Sequence, residues 1–256
     1  MSILDRFSLA GKRALVTGAS RGLGRAMAIG LAEAGADVVL ASSKPGGADK
    51  TAEAVRAAGR TAWTVDADLA DRDAVKAMAE RVEREAGAID VLVNNGGSIA
   101  RYPATEYPSD EWDRILRINL DATWILAQHF GRAMVERRRG KIINIASLLS
   151  FSGGITVPAY TASKHAVAGV TKALANEWAK HGVNINAIAP GYFTTDNTQR
   201  LREDASRNAE ITARIPAARW GDPTTDIAGA TVFLASSASD YVNGHVLLVD
   251  GGWMAR

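Results

Sequence analysis

Ala14-Leu15-Val16-Thr17-Gly18-Ala19-Ser20-Arg21-Gly22-Leu23-Gly24 joins a short apolar run to a helical stretch through three glycines spaced G-x-x-x-G-x-G. A glycine-rich turn that follows a first strand and opens a first helix is the context of a dinucleotide fingerprint. Gly18 permits the tight turn, Gly22 lets the backbone approach a pyrophosphate, and Gly24 lets helix and sheet pack closely. The helix N-terminus then faces the phosphates, with Ser20, Arg21 and Leu23 in the same turn. The spacing differs from the commoner G-x-G-x-x-G, and such turns also occur where nothing binds, so the rest of the chain has to decide.

Outward from this turn, short runs rich in β-branched residues alternate with longer helical patterns. The runs are 14–16, 38–40, 61–65, 91–93, 142–145, 183–186 and 246–249; helical patterns include 48–58, 71–86 and 110–136, the last long enough to expect a kink. Seven strands separated by helices predict a parallel sheet covered on both faces, because right-handed crossovers place the helices there. The expected fold is α/β: a single-domain, doubly wound Rossmann fold spanning residues 1–256, with a seven-stranded parallel sheet and helices on both faces. The stretch from Pro190 to Asp222 is the least regular. A long polar excursion at the carboxyl end of a strand reads as a substrate lid, here at about 191–222.

Composition narrows the function. Among 256 residues, Lys and Arg number 30 against 28 Asp and Glu, spread along the chain except for Arg137-Arg138-Arg139-Gly140-Lys141. That balance gives no nucleic-acid footprint, and the basic run suits a helix end, where cations complement the macrodipole. The absence of cysteine excludes a disulfide framework, a catalytic thiol and thiolate metal sites. His129, His165, His181 and His245 show no paired metal-ligand spacing, so no metal is expected. No apolar run approaches the roughly 20 residues of a membrane span, and Asp5 and Arg6 stand where a signal peptide would be apolar. No membrane partner is expected, and the expected location is the cytoplasm.

Tyr160 and Lys164, four residues apart, lie on one face of a helix, with Ser147 upstream. Bringing a phenol of pKa about 10 to half-ionisation near neutrality takes about 4 kcal/mol. One cation about 4 Å away at an effective dielectric of about 20 supplies about that much. Tyr160 is therefore expected to donate and accept a proton, and beside a dinucleotide turn it describes a hydride-transfer enzyme. The end of the second strand reads Ala41-Ser42-Ser43-Lys44, where an acidic residue would favour NAD. Ser42, Ser43, Lys44 and Arg21 could instead bind a 2′-phosphate, or be ordinary loop residues; the cofactor is NAD or NADP.

Asn94-Asn95-Gly96-Gly97 at the fourth strand's end, Asn119 in a helix, Tyr160-Thr161-Ala162-Ser163-Lys164 and Pro190-Gly191 complete an ordered set. With this set the chain closely resembles the short-chain dehydrogenase/reductase family over nearly its whole length. The resemblance implies a catalytic tetrad of Asn119, Ser147, Tyr160 and Lys164. Ser147 would hold the substrate oxygen, Tyr160 would exchange its proton, Lys164 would bind the nicotinamide ribose, and Asn119 would help hold a water linking Lys164 to solvent. It also implies Asp68 and Leu69 at the adenine, Asn95 and Gly96 at the cofactor ribose, and Pro190, Gly191, Tyr192, Phe193 and Thr194 around the nicotinamide. Family members are usually homotetramers.

From about Lys141 onward the likeness narrows to a branch acting on small sugar acids such as 2-deoxy-D-gluconate or 2-dehydro-3-deoxy-D-gluconate. It is carried by stretches such as Ile143 to Phe151, Asn186 to Tyr192, Arg214 to Gly221 and Asp250 to Trp253. Gly97 and the Ser42-Ser43-Lys44 stretch depart from that branch. A sugar-acid substrate needs a cation for its carboxylate, and Arg101 is the candidate anchor because guanidinium presents a planar fork; Leu149 and Tyr192 are further candidate substrate contacts beside Ser147 and Tyr160. Two other readings fit the generic motifs: a carbonyl or 3-oxoacyl reductase with an apolar pocket of Phe151, Tyr192 and Phe193, and a non-catalytic nicotinamide-binding sensor or scaffold.

Overall fold

The computed structural model describes residues 2–256, Asn197 by its backbone alone. Its strands are β1 (Arg13–Thr17), β2 (Asp37–Ser42), β3 (Ala62–Asp66), β4 (Val91–Asn94), β5 (Gly140–Ile145), β6 (Val183–Pro190) and β7 (Val246–Val249). They form one sheet in the order β3-β2-β1-β4-β5-β6-β7, and every pairing is parallel. The helices are α1 (Gly22–Glu33), α2 (Asp49–Ala57), α3 (Arg72–Ala86), α4 (Ser109–Leu116), α5 (Ala122–Glu136), α6 (Pro158–Trp178), α7 (Gln199–Glu203), α8 (Ala205–Arg214) and α9 (Ala228–Ala235).

Alternate side chains of a strand face opposite sides of a sheet, so a strand covered on both sides must be apolar at every position. In the central strands Ala14, Val16, Val38, Leu40, Val91, Val93, Ile143 and Ile145 pack in one layer with Met27 and Leu31 of α1, Val55 of α2 and Leu234 of α9. Their neighbours Leu15, Val39, Leu92 and Ile142 pack in the opposite layer with Val75 and Met78 of α3, Leu126 and Phe130 of α5 and Leu174 of α6. This two-sided burial is why the strands read as continuous apolar runs.

Helix boundaries follow local chemistry. Asp71 caps α3 by accepting from the Asp73 and Ala74 amides at 2.9 and 3.1 Å. Pro158 opens α6, where a missing N–H costs nothing. The kink expected within 110–136 is a π turn, Arg117–Asp121, between α4 and α5. Such a turn re-aims side chains within a helix and is frequent at functional sites; this one carries Asn119. The basic run after α5 is spent within the fold: Arg137 donates to the Ile89 carbonyl, Arg138 to the Lys180 carbonyl and Lys141 to Asp240.

The strand order reverses between β1 and β4, which opens a crevice at their carboxyl ends. The glycine turn, Asn95-Gly96-Gly97, Ser147 and Gly191 follow the carboxyl ends of β1, β4, β5 and β6. The polar excursion after β6 leaves this end of the sheet through a 3-10 turn, Asp196–Thr198, then α7 and α8, and rejoins where the Thr194 amide donates to the Gly221 carbonyl at 2.9 Å. Among the described residues, no helix is long and apolar enough to cross a membrane.

Candidate active site

The crevice floor is a seam between β1 and β4. Thr17 Oγ1 accepts from the backbone amides of Asn95 and Gly96 at 3.0 and 2.8 Å. In return the Asn95 side-chain amide donates to the Thr17 and Gly18 carbonyls at 2.9 and 3.3 Å. Asn95, expected at the cofactor ribose, thus spends its Nδ2 on bracing the glycine turn. Gly18 has φ +65°, which favours glycine, and a Cβ at Gly24 would land on the Gly18 carbonyl. Arg21, the N-cap of α1, makes no side-chain capping bond, so the first amides of the helix stay open to an anion. The turn, the close packing and the open helix end fit a dinucleotide.

The adenosine end is only partly assembled as expected. Leu69 packs against Gly96, with no room between them for a Cβ. Ser42 is buried and donates to the Lys44 carbonyl at 2.9 Å, which closes its own turn. Ser43, Lys44 and Asp68 are exposed. Arg21 pairs with Asp196, in the excursion after β6, at 3.2 Å. Near the nicotinamide end, Gly191 lies so close to Asp250 that a Cβ would come within 2.6 Å of its Cα. The Phe193 side chain is buried in the core against Gly221, leaving only its backbone to the groove. Tyr192 is enclosed by Trp220 and Trp253, with ring centroids 5.5 and 4.6 Å away. The tryptophans divide: Trp253 is buried, whereas Trp112 and Trp124 are exposed on the helices after β4.

Asn119, on the π turn, is buried, and both hydrogens of its Nδ2 are used within the protein. Its Nδ2 donates to the Ser98 carbonyl and the Ser163 hydroxyl, both at 3.0 Å, and its Oδ1 accepts from the Ser98 amide at 2.8 Å. The Asn119 side-chain amide thus ties the loop after β4 to α6. Gly97 fits beside this junction: a Cβ there would sit 3.4 Å from Asn119 Oδ1 and 4.0 Å from Lys164 Nζ.

Tyr160 and Lys164 share one face of α6, as their spacing requires, but not in the expected electrostatic arrangement. Lys164 Nζ lies 5.6 Å from the Tyr160 ring centroid and donates to the Ile145 carbonyl at 2.5 Å. Burial lowers its pKa to about 8. Burial also raises the Tyr160 pKa, an effect opposed by the Ser147 hydroxyl and by the charge of Arg101. Two physical effects work against the expectation that the Lys164 charge alone brings the phenol toward neutrality. A low-dielectric site penalises both charged forms, and the ammonium is directed at a backbone carbonyl. Arg101, exposed on the loop after β4, is brought within electrostatic reach of the phenol.

Ser147 stands at the end of β5 as the N-cap of a 3-10 turn, Leu148–Ser150. Its Oγ accepts from the Leu149 amide at 3.1 Å, so the hydroxyl hydrogen is free for another oxygen. Leu149 itself is half-buried beside Gly154. Ser98, Ser150 and Ser163 escaped the reading of the sequence. The reciprocal cap of Ser147 and Ser150 had a legible sign in two hydroxyls three residues apart. Among the described residues, no group of three His, Asp or Glu side chains could hold a metal ion.

A family model described as short chain dehydrogenase matches residues 12–206, and the chain belongs to that family. It is 54% identical over 256 residues to a 2-dehydro-3-deoxy-D-gluconate 5-dehydrogenase of Pseudoalteromonas atlantica, covering 99% of this chain and 100% of the relative. A protein of the same name from Bacillus subtilis is 53% identical, with 98% of each chain covered. A solved structure from Beutenbergia cavernae, described as an NAD(P) dependent gluconate 5-dehydrogenase with bound NADP, is 52% identical with a TM-score of 0.94. It covers 98% of this chain and 100% of its own.

The position of Lys164 carries a pH signature. In protein made with carbon-13-labelled lysine, the free protein should show one lysine resonance titrating with a midpoint of about 8, lost in Lys164→Arg. The group is charged below that pH and neutral above it. A Lys164 midpoint near the usual lysine value of about 10.4 would contradict the burial described.

Proposed function

We propose that this protein is an NAD(P)-dependent oxidoreductase that interconverts a secondary alcohol and a ketone on a small sugar acid of the 2-dehydro-3-deoxy-D-gluconate or 2-deoxy-D-gluconate type. The observation that carries the reading is the convergence of Ser147, Tyr160 and Lys164 beside an open glycine turn, in a chain 54% identical to a sugar-acid dehydrogenase. A bound nicotinamide supplies the hydride acceptor or donor. In the direction of oxidation, the Ser147 hydroxyl holds the substrate oxygen and the Tyr160 phenolate takes the hydroxyl proton as the C–H hydride departs. Lys164, anchored on the Ile145 carbonyl, provides the cation at the ribose. Charge developing on the substrate oxygen is stabilised by Ser147 and Tyr160.

The dinucleotide is NAD or NADP. No carboxylate follows β2 to oppose a 2′-phosphate, and Arg21 and Lys44 are exposed cations. Arg101 serves as the carboxylate anchor, which suits its exposure at the groove and its influence on Tyr160. The 191–222 segment is the lid. The sugar-acid reading is favoured over an apolar ketone pocket because Phe193 is buried in the core and Tyr192 is held between two tryptophans. We also infer a cytoplasmic homotetramer, with exposed Trp124 on α5 at one subunit contact and the half-exposed edge strand β7 at another.

Tyr160→Phe should abolish turnover while binding of the reduced dinucleotide, read by fluorescence, stays within about twofold. Normal turnover would remove the acid/base assignment. Arg101→Ala should raise KM for a sugar acid about tenfold or more and leave that for a neutral ketone nearly unchanged, since a charge-assisted bond is lost only with the carboxylate. An equal effect on both substrates would remove the anchor role.

A further inference from the structure

Ser150 belongs to neither the glycine turn nor the tetrad. It is 8% exposed, at the end of the 3-10 turn that Ser147 caps. Its Oγ donates to the Lys164 carbonyl at 2.7 Å, in the interior of α6. The same oxygen accepts from the Ser147 backbone amide at 3.3 Å, and the Ser150 amide donates to the Ser147 carbonyl at 2.9 Å. One hydroxyl therefore uses its donor and an acceptor site to join the two segments that bring Ser147 and Lys164 together.

We propose that Ser150 is a positioning residue for this active site, whose hydroxyl locks the Ser147 turn onto the helix that carries Tyr160 and Lys164. The inference rests on the reading of Tyr160 as the general acid/base and of Ser147 as the group that holds the substrate oxygen.

The geometry explains why the lock falls here. Ser147 lies at the end of β5 and Tyr160 in the first turn of α6, with the irregular residues 151–157 between them. The cap bond from Leu149 sets the Ser147 hydroxyl within its own turn, but the turn needs a tie to the helix to hold that hydroxyl against the phenol. The chain Ser147 N–H to Ser150 Oγ–H to the Lys164 carbonyl provides it. Linked hydrogen bonds of this kind polarise and strengthen one another where the local dielectric is low. Lys164 is fixed at both ends: its carbonyl takes the Ser150 hydroxyl and its ammonium donates to Ile145, on the same strand that delivers Ser147.

Removing the hydroxyl leaves the Ser147 amide without its partner and frees the turn to shift relative to α6. The consequence is specific because Ser147 opposes the burial that raises the Tyr160 pKa. A loosened Ser147 lets the phenol ionise at higher pH. The charged groups that face the phenol are Arg101 of the loop after β4, whose charge favours the phenolate, and Lys164 of its own helix, whose ammonium lies 5.6 Å from the ring centroid; the substitution changes the charge of neither.

The test is the pH profile of kcat/KM for sugar-acid oxidation at saturating dinucleotide, for wild type, Ser150→Ala and Ser150→Thr, with Ser147→Ala and Tyr160→Phe as references. Ser150→Ala should lower kcat about 5- to 30-fold, the factor carried by one lost buried hydrogen bond. It should also move the rising limb up by about half a pH unit or more, with dinucleotide affinity within about twofold of wild type. Ser150→Thr, which keeps the hydroxyl, should restore both the rate and the limb. If Ser150→Ala does not fold, Ser150→Cys, close in volume and a weak donor, takes its place with the same upward shift expected. An unmoved limb in a variant that binds dinucleotide normally overturns the proposal, whether or not the melting temperature has fallen. Full activity in Ser147→Ala or Tyr160→Phe would instead overturn the reading on which it rests.

Discussion

Thr17 closes the seam on which the active site is built. Its hydroxyl accepts two backbone amides from the end of β4, and Asn95 returns its side-chain amide to the end of β1. A parallel sheet whose strand order reverses leaves a gap at that point; here the gap is bridged by side-chain-to-backbone hydrogen bonds. The glycine turn can then present the open end of α1 on one side while Gly97 brings the β4 loop up to Asn119 and Lys164 on the other. A Cβ at Gly24 would meet Asn95 Nδ2, and one at Gly96 would meet Thr17 Oγ1, each across the seam. The requirement for small residues is thus a property of the seam as a whole.

Within the site, burial sets the electrostatic problem. It raises the phenol and lowers the lysine, opposing charge on both partners of the expected acid/base pair. The residues of this chain that work against it at Tyr160 are Ser147 and Arg101. One is a hydroxyl fixed by a cap, the other a cation on an exposed loop. The field of Arg101 favours the phenolate, and the function proposed above assigns the same side chain to the substrate carboxylate. Burial also makes the placement of Ser147 matter as much as its presence, and that placement depends on a hydroxyl three residues away.

The layered fold was legible because two-sided burial writes itself as uninterrupted apolar strands, and because Asp71 and Pro158 mark helix starts by well-defined chemistry. The candidate set Asn119, Ser147, Tyr160 and Lys164 came from the family resemblance that the ordered motifs carry. Other features depend on backbone partners that leave no side-chain pattern. Lys164 answers to the Ile145 carbonyl, Asn95 to the Thr17 carbonyl, and Ser42 to the Lys44 carbonyl. Phe193 stands in a stretch expected to surround the nicotinamide, yet its ring turns inward onto Gly221; composition around it gives no sign of which way it faces. The π turn at Asn119 appeared in the sequence only as a helix too long to be straight.

The most direct measurement is the initial rate of nicotinamide reduction by the purified protein, with NAD and NADP in parallel. The substrates would be 2-deoxy-D-gluconate, 2-dehydro-3-deoxy-D-gluconate, D-gluconate and a simple secondary alcohol, with the reverse reaction run on the matching ketones. The account predicts a kcat/KM for at least one sugar acid that exceeds that for the simple alcohol by 100-fold or more. Equal specificity constants for the sugar acids and the simple alcohol, or no turnover in either direction, would contradict it.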